Sequence, residues 1–346
     1  EAEQRFAPDA CYPREELEQR LPGILDEGDR VHYRLGSRSE VDRLVRDALG
    51  RARARGPRNG VGPRGIVDPG EILDELRLRK DAHETGRLRG AAQLTMVGHR
   101  AAAAAVRPGA GEWMVQAEVE AAFRRGGGCP GFGTIVGSGA NACILHYRAN
   151  DARMTEGQLV LVDAGAELGL YNGDITRTYP VSGRFSESQR GIYDLVDAAR
   201  AAAVDAVRPG VTAASVHETA VRVLVEGLIG LGVLTGDVAG LVADGAHKPF
   251  YPHQTSHWLG LDVHDPGDYA RNGTSRILEP GMVLTIEPGL YFPPGVPEEA
   301  SAYAGIGVRI EDDVLVTEEG RENLTAGLPT ASDEVEALVR DAGGAG

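Results

Sequence analysis

The stretch Gly157-Gln-Leu-Val-Leu-Val-Asp163-Ala-Gly165 recurs as Gly281-Met-Val-Leu-Thr-Ile-Glu287-Pro-Gly289. Each copy has a turn glycine, four or five apolar strand residues, an acid, one spacer and a closing glycine, so both predict the same strand. A second echo accompanies the first. Val106-Arg107-Pro108-Gly109 and Val207-Arg208-Pro209-Gly210 each stop a helical pattern, because proline and glycine both break helices. Each is followed by another amphipathic helix, through residues 119–123 in one copy and 216–224 in the other. Two copies of helix, helix and strand are spaced too widely for a solenoid. They predict one α+β domain built from two halves about a pseudo-twofold axis, with its site at that axis.

The 346 residues are enough for about two domains. Residues 1 to about 65 are dense in charge and end in the run RARARGPRNGVGPRG, which reads as a solvated linker or an exposed helix end; residues 1–70 are set apart from residues 71–335, which carry the repeats, and residues 336–346 read as a tail. Lys plus Arg is 36 against 51 for Asp plus Glu, a formal charge of −15 that repels phosphate backbones and anionic lipid, so no nucleic-acid partner is expected. The most apolar stretch, residues 221–246, is broken by Arg222, Glu226 and Asp237, so no membrane span is expected, and no signal-peptide pattern precedes it. The three cysteines, Cys11, Cys129 and Cys143, are odd in number and lack C-x-x-C spacing, which suits a reducing cytoplasm.

Chemistry concentrates in the repeats. Asp163 closes a strand expected to be buried on both faces, where a carboxylate needs a compensating cation or donor. Asp174 lies in a strand predicted to return beside it. In the second half Glu287 ends the echoing strand, and Glu311 lies in Val308-Arg309-Ile310-Glu311-Asp312-Asp313, read as one strand with Arg309 and Glu311 on a common face. Between them His247, His253, His257 and His264 crowd into residues 247–264. His253 and His257 have the i, i+4 spacing of a zincin, but Gln254 stands where that motif needs its glutamate. Four carboxylates and an imidazole form a hard donor set suited to Mn²⁺-like ions, and shared acids would hold two of them, which points to a dinuclear hydrolase. Neither G-x-G-x-x-G nor a P-loop is present, and neither Ser138 nor Ser256 lies in G-x-S-x-G.

Taken together, GTIVGSGANACILHYRAND, LVLVDAGAELGLYNGDITRTYPV, TSHWLGLDVHD, LEPGMVLTIEPGLY and GIGVRIEDDVLVTEEGRENLT resemble the metal-site signature of the two-metal pita-bread peptidases over roughly residues 75–330. That family includes prolidase, methionine aminopeptidase and creatinase, and the resemblance is to its aminopeptidase P (Xaa-Pro aminopeptidase) branch. It implies a pita-bread fold, with residues 1–70 a remnant of a creatinase-like amino-terminal domain plus linker. It implies two divalent ions, with Mn²⁺ the expected metal, held by Asp163, Asp174, His257, Glu287 and Glu311, of which Asp174 and Glu311 bridge. The implied reaction is hydrolysis, by a hydroxide shared between the metals, of the bond between an N-terminal residue and a following proline. Glu287 relays the proton, His146 and His264 serve the oxyanion, and His253, Tyr291 and Arg309 surround the substrate. The implied partners are peptides with proline second and further copies of the chain in a homo-oligomer. The rival readings are a prolidase restricted to dipeptides and a catalytically silent pita-bread binding module. One departure stands out: members of the family often read His-Gly-Leu-Ser-His where this chain has His253-Gln254-Thr255-Ser256-His257, which sets a larger polar side chain beside the pocket.

Overall fold

The computed structural model describes residues 2–59 and 62–343. The chain divides into two compact units, Glu1–Leu76 and Arg77–Gly346. The first is built on helices Leu17–Asp26 and Ser39–Asn59 and on the parallel strands Arg30–His32 and Gly65–Val67. Val31, Val45 and Leu49 form its core, with Leu21, Leu25, Val41 and Ile66 packed against them. The arginine-rich run is therefore not a linker along most of its length: residues 51–59 continue the helix that begins at Ser39. Val41, Val45, Ala48, Leu49 and Ala52 recur at helical spacing on its inner face, and arginine is itself a good helix former. Residues 60 and 61 of that run lie outside the described residues.

The second unit holds the repeats. Its first half runs through α1 (Ala82–Ala105), α2 (Glu112–Arg125), β1 (Ile135–Ser138), β2 (Leu159–Ala164) and β3 (Ile175–Pro180); its second half runs through α3 (Glu187–Ala206), α4 (Ala213–Gly230), β4 (Val283–Ile286), β5 (Gly289–Phe292), β6 (Ile306–Arg309), β7 (Asp312–Thr317) and β8 (Gly320–Asn323). Helix α5 (Ser332–Gly343) follows. Asp81 and Glu84 form a capping box that starts α1, and Ser186 and Gln189 do the same for α3. Both VRPG stops act alike. Gly109 and Gly210 adopt φ of +83° and +87°, open to glycine at no steric cost, and their N–H groups donate to Met154 and Leu278 at 2.8 and 3.0 Å. Each acceptor lies three residues before the turn glycine of an echoing strand. The same equivalence returns in the isolated bridges Gly111 to Arg153 and Thr212 to Ile277. The repeats are thus one backbone arrangement used twice.

The strands assemble as antiparallel β1-β2-β3 in one half, and as β4-β7-β8 and β5-β6 in the other. β2 and β4 are buried at every residue, which explains why they read as apolar runs; β3 is buried throughout as well, but its sequence alternates because Thr176, Arg177 and Thr178 find hydrogen-bond partners in the second half. β2 and β3 pack into a core with Leu94, Val115 and Phe123 from one helix pair and Ile192, Val196 and Leu224 from the other, while Leu284 and Ile286 of β4 pack with Val204, Val216, Ala220 and Trp258. Two expectations are corrected here. Residues 308–313 are not one strand: β6 pairs with β5 and β7 with β4, so the chain changes sheets at Ile310–Glu311, and the Glu311 N–H donates instead to Thr176 O of the first half at 3.0 Å. Residues 336–343 are not a tail but most of α5, whose Val335 and Val339 belong to the main core; residues 344–346 lie outside the described residues. Among the described residues, no helix is long and apolar enough to cross a membrane.

Where the halves meet, buried Arg177 on β3 donates to Asp312 on β7 at 2.8 Å and to the carbonyls of Glu311, Leu328 and Pro329. Asp312 also accepts from Arg200 at 2.7 Å, Thr325 at 2.8 Å and Asn323 at 2.9 Å. Burial alone would raise its pKa, but Arg177 and Arg200 hold it at about 2. A folded pKa below the unfolded one stabilises above pH ~3.9 and ceases to do so as pH falls toward 2. Asp312→Ala is expected to cost about 3–5 kcal/mol in urea unfolding at pH 7, because two arginines lose their acceptor in the interior. It should also flatten the loss of stability between pH 4 and 2; a variant matching wild type on both counts would contradict this role.

Candidate metal centre

The acids and the histidine reach the join by different routes. Asp163 sits in β2, paired with Ile135 on one side and Thr176 on the other. Asp174 immediately precedes β3, Glu287 immediately follows β4, and Glu311 fills the sheet-changing step before β7. His257 comes from a loop fastened to β4: its N–H donates to Thr285 Oγ1 at 3.1 Å, and the Thr285 N–H donates to its carbonyl at 2.9 Å. The imidazole Nδ1 lies 3.1 Å from Trp258 O and donates to it, so Nε2 faces the acids, 3.3 Å from Asp174 Oδ2 and 3.7 Å from Glu287 Oε1. Asp174, His257 and Glu311 each offer a ligand atom, all within 4.8 Å of one another.

Charge here is under-compensated. Burial pushes Asp174 up to about 6 against the pull of His257, and pushes Glu287 up to about 7 although His257 and Arg309 oppose it. Glu311 is raised well above the usual carboxylate range by burial and by Asp174 and Glu287. For His257 burial works the other way, but Asp174 and Glu287 lift it to about 9. Oδ1 of Asp163 and Oδ1 of Asp174 are buried without a hydrogen-bond partner. Unpartnered carboxylate oxygens, crowded acids and an imidazole nitrogen aimed among them, whose proton a cation would displace, fit hard divalent cations.

The surrounding side chains hold these groups in place. Arg309 Nη2 donates to Asp163 Oδ2 at 2.6 Å across the join, and its Nε donates to Thr176 Oγ1 at 3.1 Å, which in turn donates to Glu311 Oε2 at 2.7 Å. Arg309 Nη1 donates to Tyr291 OH at 2.9 Å. Because His253 Nδ1 is satisfied by Gln254 O, Tyr291 donates onward to His253 Nε2 at 2.8 Å. Burial, with Arg309 nearby, lowers His253 to about 3 and keeps it neutral. His264 stacks edge-on against His257 with centroids 4.4 Å apart, next to Asp265, whose carboxylate is buried against Lys80 at 3.0 Å. His146 follows a 3₁₀ turn tied down by Glu112, which is fully buried and accepts from Ser138, Asn141, Tyr147 and Ala152. A cavity of about 990 Å³ opens over the centre. Asp163, Asp174, His257, Glu287, Glu311, His146, His253, His264 and Arg309 all line it, whereas Tyr291 touches it only through His253 and Arg309.

Sequence reading missed Thr176 and Glu112. Thr176 carried a signal, since it stands two residues from Asp174 in the alternating run; Glu112 looked like an ordinary acid in the first turn of a helix.

This fold and this donor set define a metallopeptidase. Metallopeptidase family M24 matches residues 86–318, and the chain belongs to that family, with its pita-bread fold. It is 44% identical over 341 residues to the Xaa-Pro aminopeptidase of Escherichia coli (strain K12), covering 98% of this chain and 76% of that enzyme. Among solved structures it matches Pseudomonas aeruginosa aminopeptidase PepP with a TM-score of 0.93 at 44% identity, over 99% of this chain and 77% of that one. It matches zinc-substituted Escherichia coli aminopeptidase P in complex with product with a TM-score of 0.92, also at 44% identity and over the same shares of the two chains.

Tyr291→Phe removes the link between Arg309 and His253 and leaves a buried donor and a buried acceptor without partners. Urea denaturation should show a loss of about 1–3 kcal/mol; no measurable loss would show that the relay does not hold these groups.

Proposed function

We propose that the protein is an Xaa-Pro aminopeptidase, releasing the first residue of peptides that carry proline second, with Asp163, Asp174, His257, Glu287 and Glu311 as the residues that would hold two divalent ions. The observation that carries this reading is the meeting of Asp174, His257 and Glu311, drawn from both halves, at the wall of a cavity large enough for several peptide residues. The likeness to Xaa-Pro aminopeptidases over nearly the whole chain supports the same reading. Bound there, the cations supply Lewis-acid polarisation and make water a competent nucleophile near neutral pH.

The remaining roles fall to side chains. The proline nitrogen is a tertiary amide without an N–H, so it leaves well only if a proton reaches it as the bond breaks. Glu287, facing the same cavity, takes that proton from the attacking water and passes it on. His146 and His264 offer donors to the scissile carbonyl oxygen as charge gathers on it. His253, fixed by Tyr291, faces the proline, and Arg309 keeps Asp163 aimed at the centre. We assign Mn²⁺ as the working ion from the oxygen-rich donors. The free thiols Cys11, Cys129 and Cys143 support a reducing cytoplasm as the setting. By the same family resemblance, residues 1–70 are read as part of a creatinase-like domain and the working form as a homo-oligomer.

The test is turnover of an Xaa-Pro-Xaa tripeptide beside an Xaa-Pro dipeptide, with protein stripped by a chelator and then given Mn²⁺. The tripeptide should be cut after its first residue only when metal is restored. Cleavage confined to the dipeptide would establish a prolidase instead, and no cleavage of either would leave a binding module.

A further inference from the structure

One polar group on the cavity wall has no task in that reaction. His217, on α4, lines the cavity with His253 and Gln254. Its Nδ1 accepts from the Thr255 backbone N–H at 3.2 Å and lies 2.8 Å from Thr255 Oγ1, and buried Tyr251 places its hydroxyl 2.7 Å from that same Oγ1. Counting protons orders the chain. A nitrogen that accepts from an amide carries no hydrogen, so the Thr255 O–H must donate to Nδ1 and the Tyr251 O–H to Thr255. The ring hydrogen of a neutral His217 therefore sits on Nε2, and burial, together with His247, lowers the pKa and keeps the ring neutral. Among the described residues Nε2 has no hydrogen-bond partner. Thr255 is one of the two positions at which the chain departs from the family's usual loop, and a leucine there would have no hydroxyl to offer the ring.

The rings of His217 and His253 flank Tyr251, at centroid distances of 5.9 and 4.8 Å. Those distances bound the separation of the two rings at about 11 Å, which an extended peptide covers, proline included, in about two to three residues. With proline against His253, the chain beyond it reaches His217. We propose that His217 is a binding residue for the peptide downstream of proline, its Nε2–H donating to the carbonyl oxygen of the third residue while Thr255 and Tyr251 fix the ring's tautomer and angle. This rests on the Xaa-Pro reading and extends it to the part of the substrate that is not cleaved.

The experiment compares Ala-Pro-Leu-amide with Ala-Pro-isoamylamide, which keeps the leucine side chain but lacks the third carbonyl, on the Mn²⁺-loaded wild-type protein and on His217→Ala. Wild type should cleave the isoamylamide with kcat/KM about tenfold lower, mostly through KM, as the loss of one hydrogen bond predicts. His217→Ala should lose that factor on the tripeptide amide and nothing on the isoamylamide. Equal turnover of the two substrates by wild type would overturn the proposal whether or not the variant folds, and so would an equal loss on both in the variant. Failure of wild type to cleave either substrate would sink the Xaa-Pro reading itself, and this inference with it.

Discussion

Two buried arginines reach in opposite directions across the join between the halves. Arg177, from the first half, donates to Asp312 of the second, and Arg309, from the second, donates to Asp163 of the first. Neither guanidinium could be buried without its partner, because an unpaired charge in the interior costs several kcal/mol. Each half therefore completes its charge balance only in the presence of the other. The hydrogen bonds between these pairs, from Glu311 N–H to Thr176 O and from Thr178 Oγ1 to Arg309 O, set the register in which the halves meet. The position of every group in the centre follows from that register.

The compensation is complete at Asp312 and incomplete a few ångströms away. Asp312 accepts four hydrogen bonds, two of them from arginines, and stays ionised to about pH 2. Among the described residues, Asp174, Glu287 and Glu311 have only His257 and the one arginine Arg309 to share, and burial moves all three toward protonation. A fold that can neutralise a buried carboxylate fully, yet leaves three of them short of cations, carries a charge deficit that two divalent ions would remove. The same deficit makes the ion-free centre a source of repulsion, so metal binding and stability are coupled.

The sequence showed what local physics repeats and hid what distant pairing decides. Strands buried on both faces appear as apolar runs, and turns that need positive φ appear as Gly109 and Gly210, so the duplication and its helix stops were legible. Asp163 and Glu287 stood out because an acid at the end of such a run is costly, and Asp174 and Glu311 because each lies in the stretch read as the next strand of its half. The break at Ile310–Glu311 was invisible, since it exists only because the chain changes sheets and bonds Thr176 of the other half. Arg177, Asp312 and Glu112 gave no signal for the same reason: their partners lie far off in the chain. In the run from Arg51 to Asn59 arginine hid the helical period, whereas α5 looked like a tail because its few apolar residues find their partners only in the folded core. His217 was passed over as a helix residue, and its role depends on a loop that follows the helix.

The central claim is that one centre is held jointly by both halves. Metal content per chain, measured by mass spectrometry after dialysis against Mn²⁺, tests it on Asp174→Ala, altered in the first half, and Glu311→Ala, altered in the second, beside the wild type. The account predicts about two ions per wild-type chain and fewer than one in either variant, because each removed acid is one that the proposal would have both ions share. Full occupancy in either variant, or none in the wild type, would contradict it.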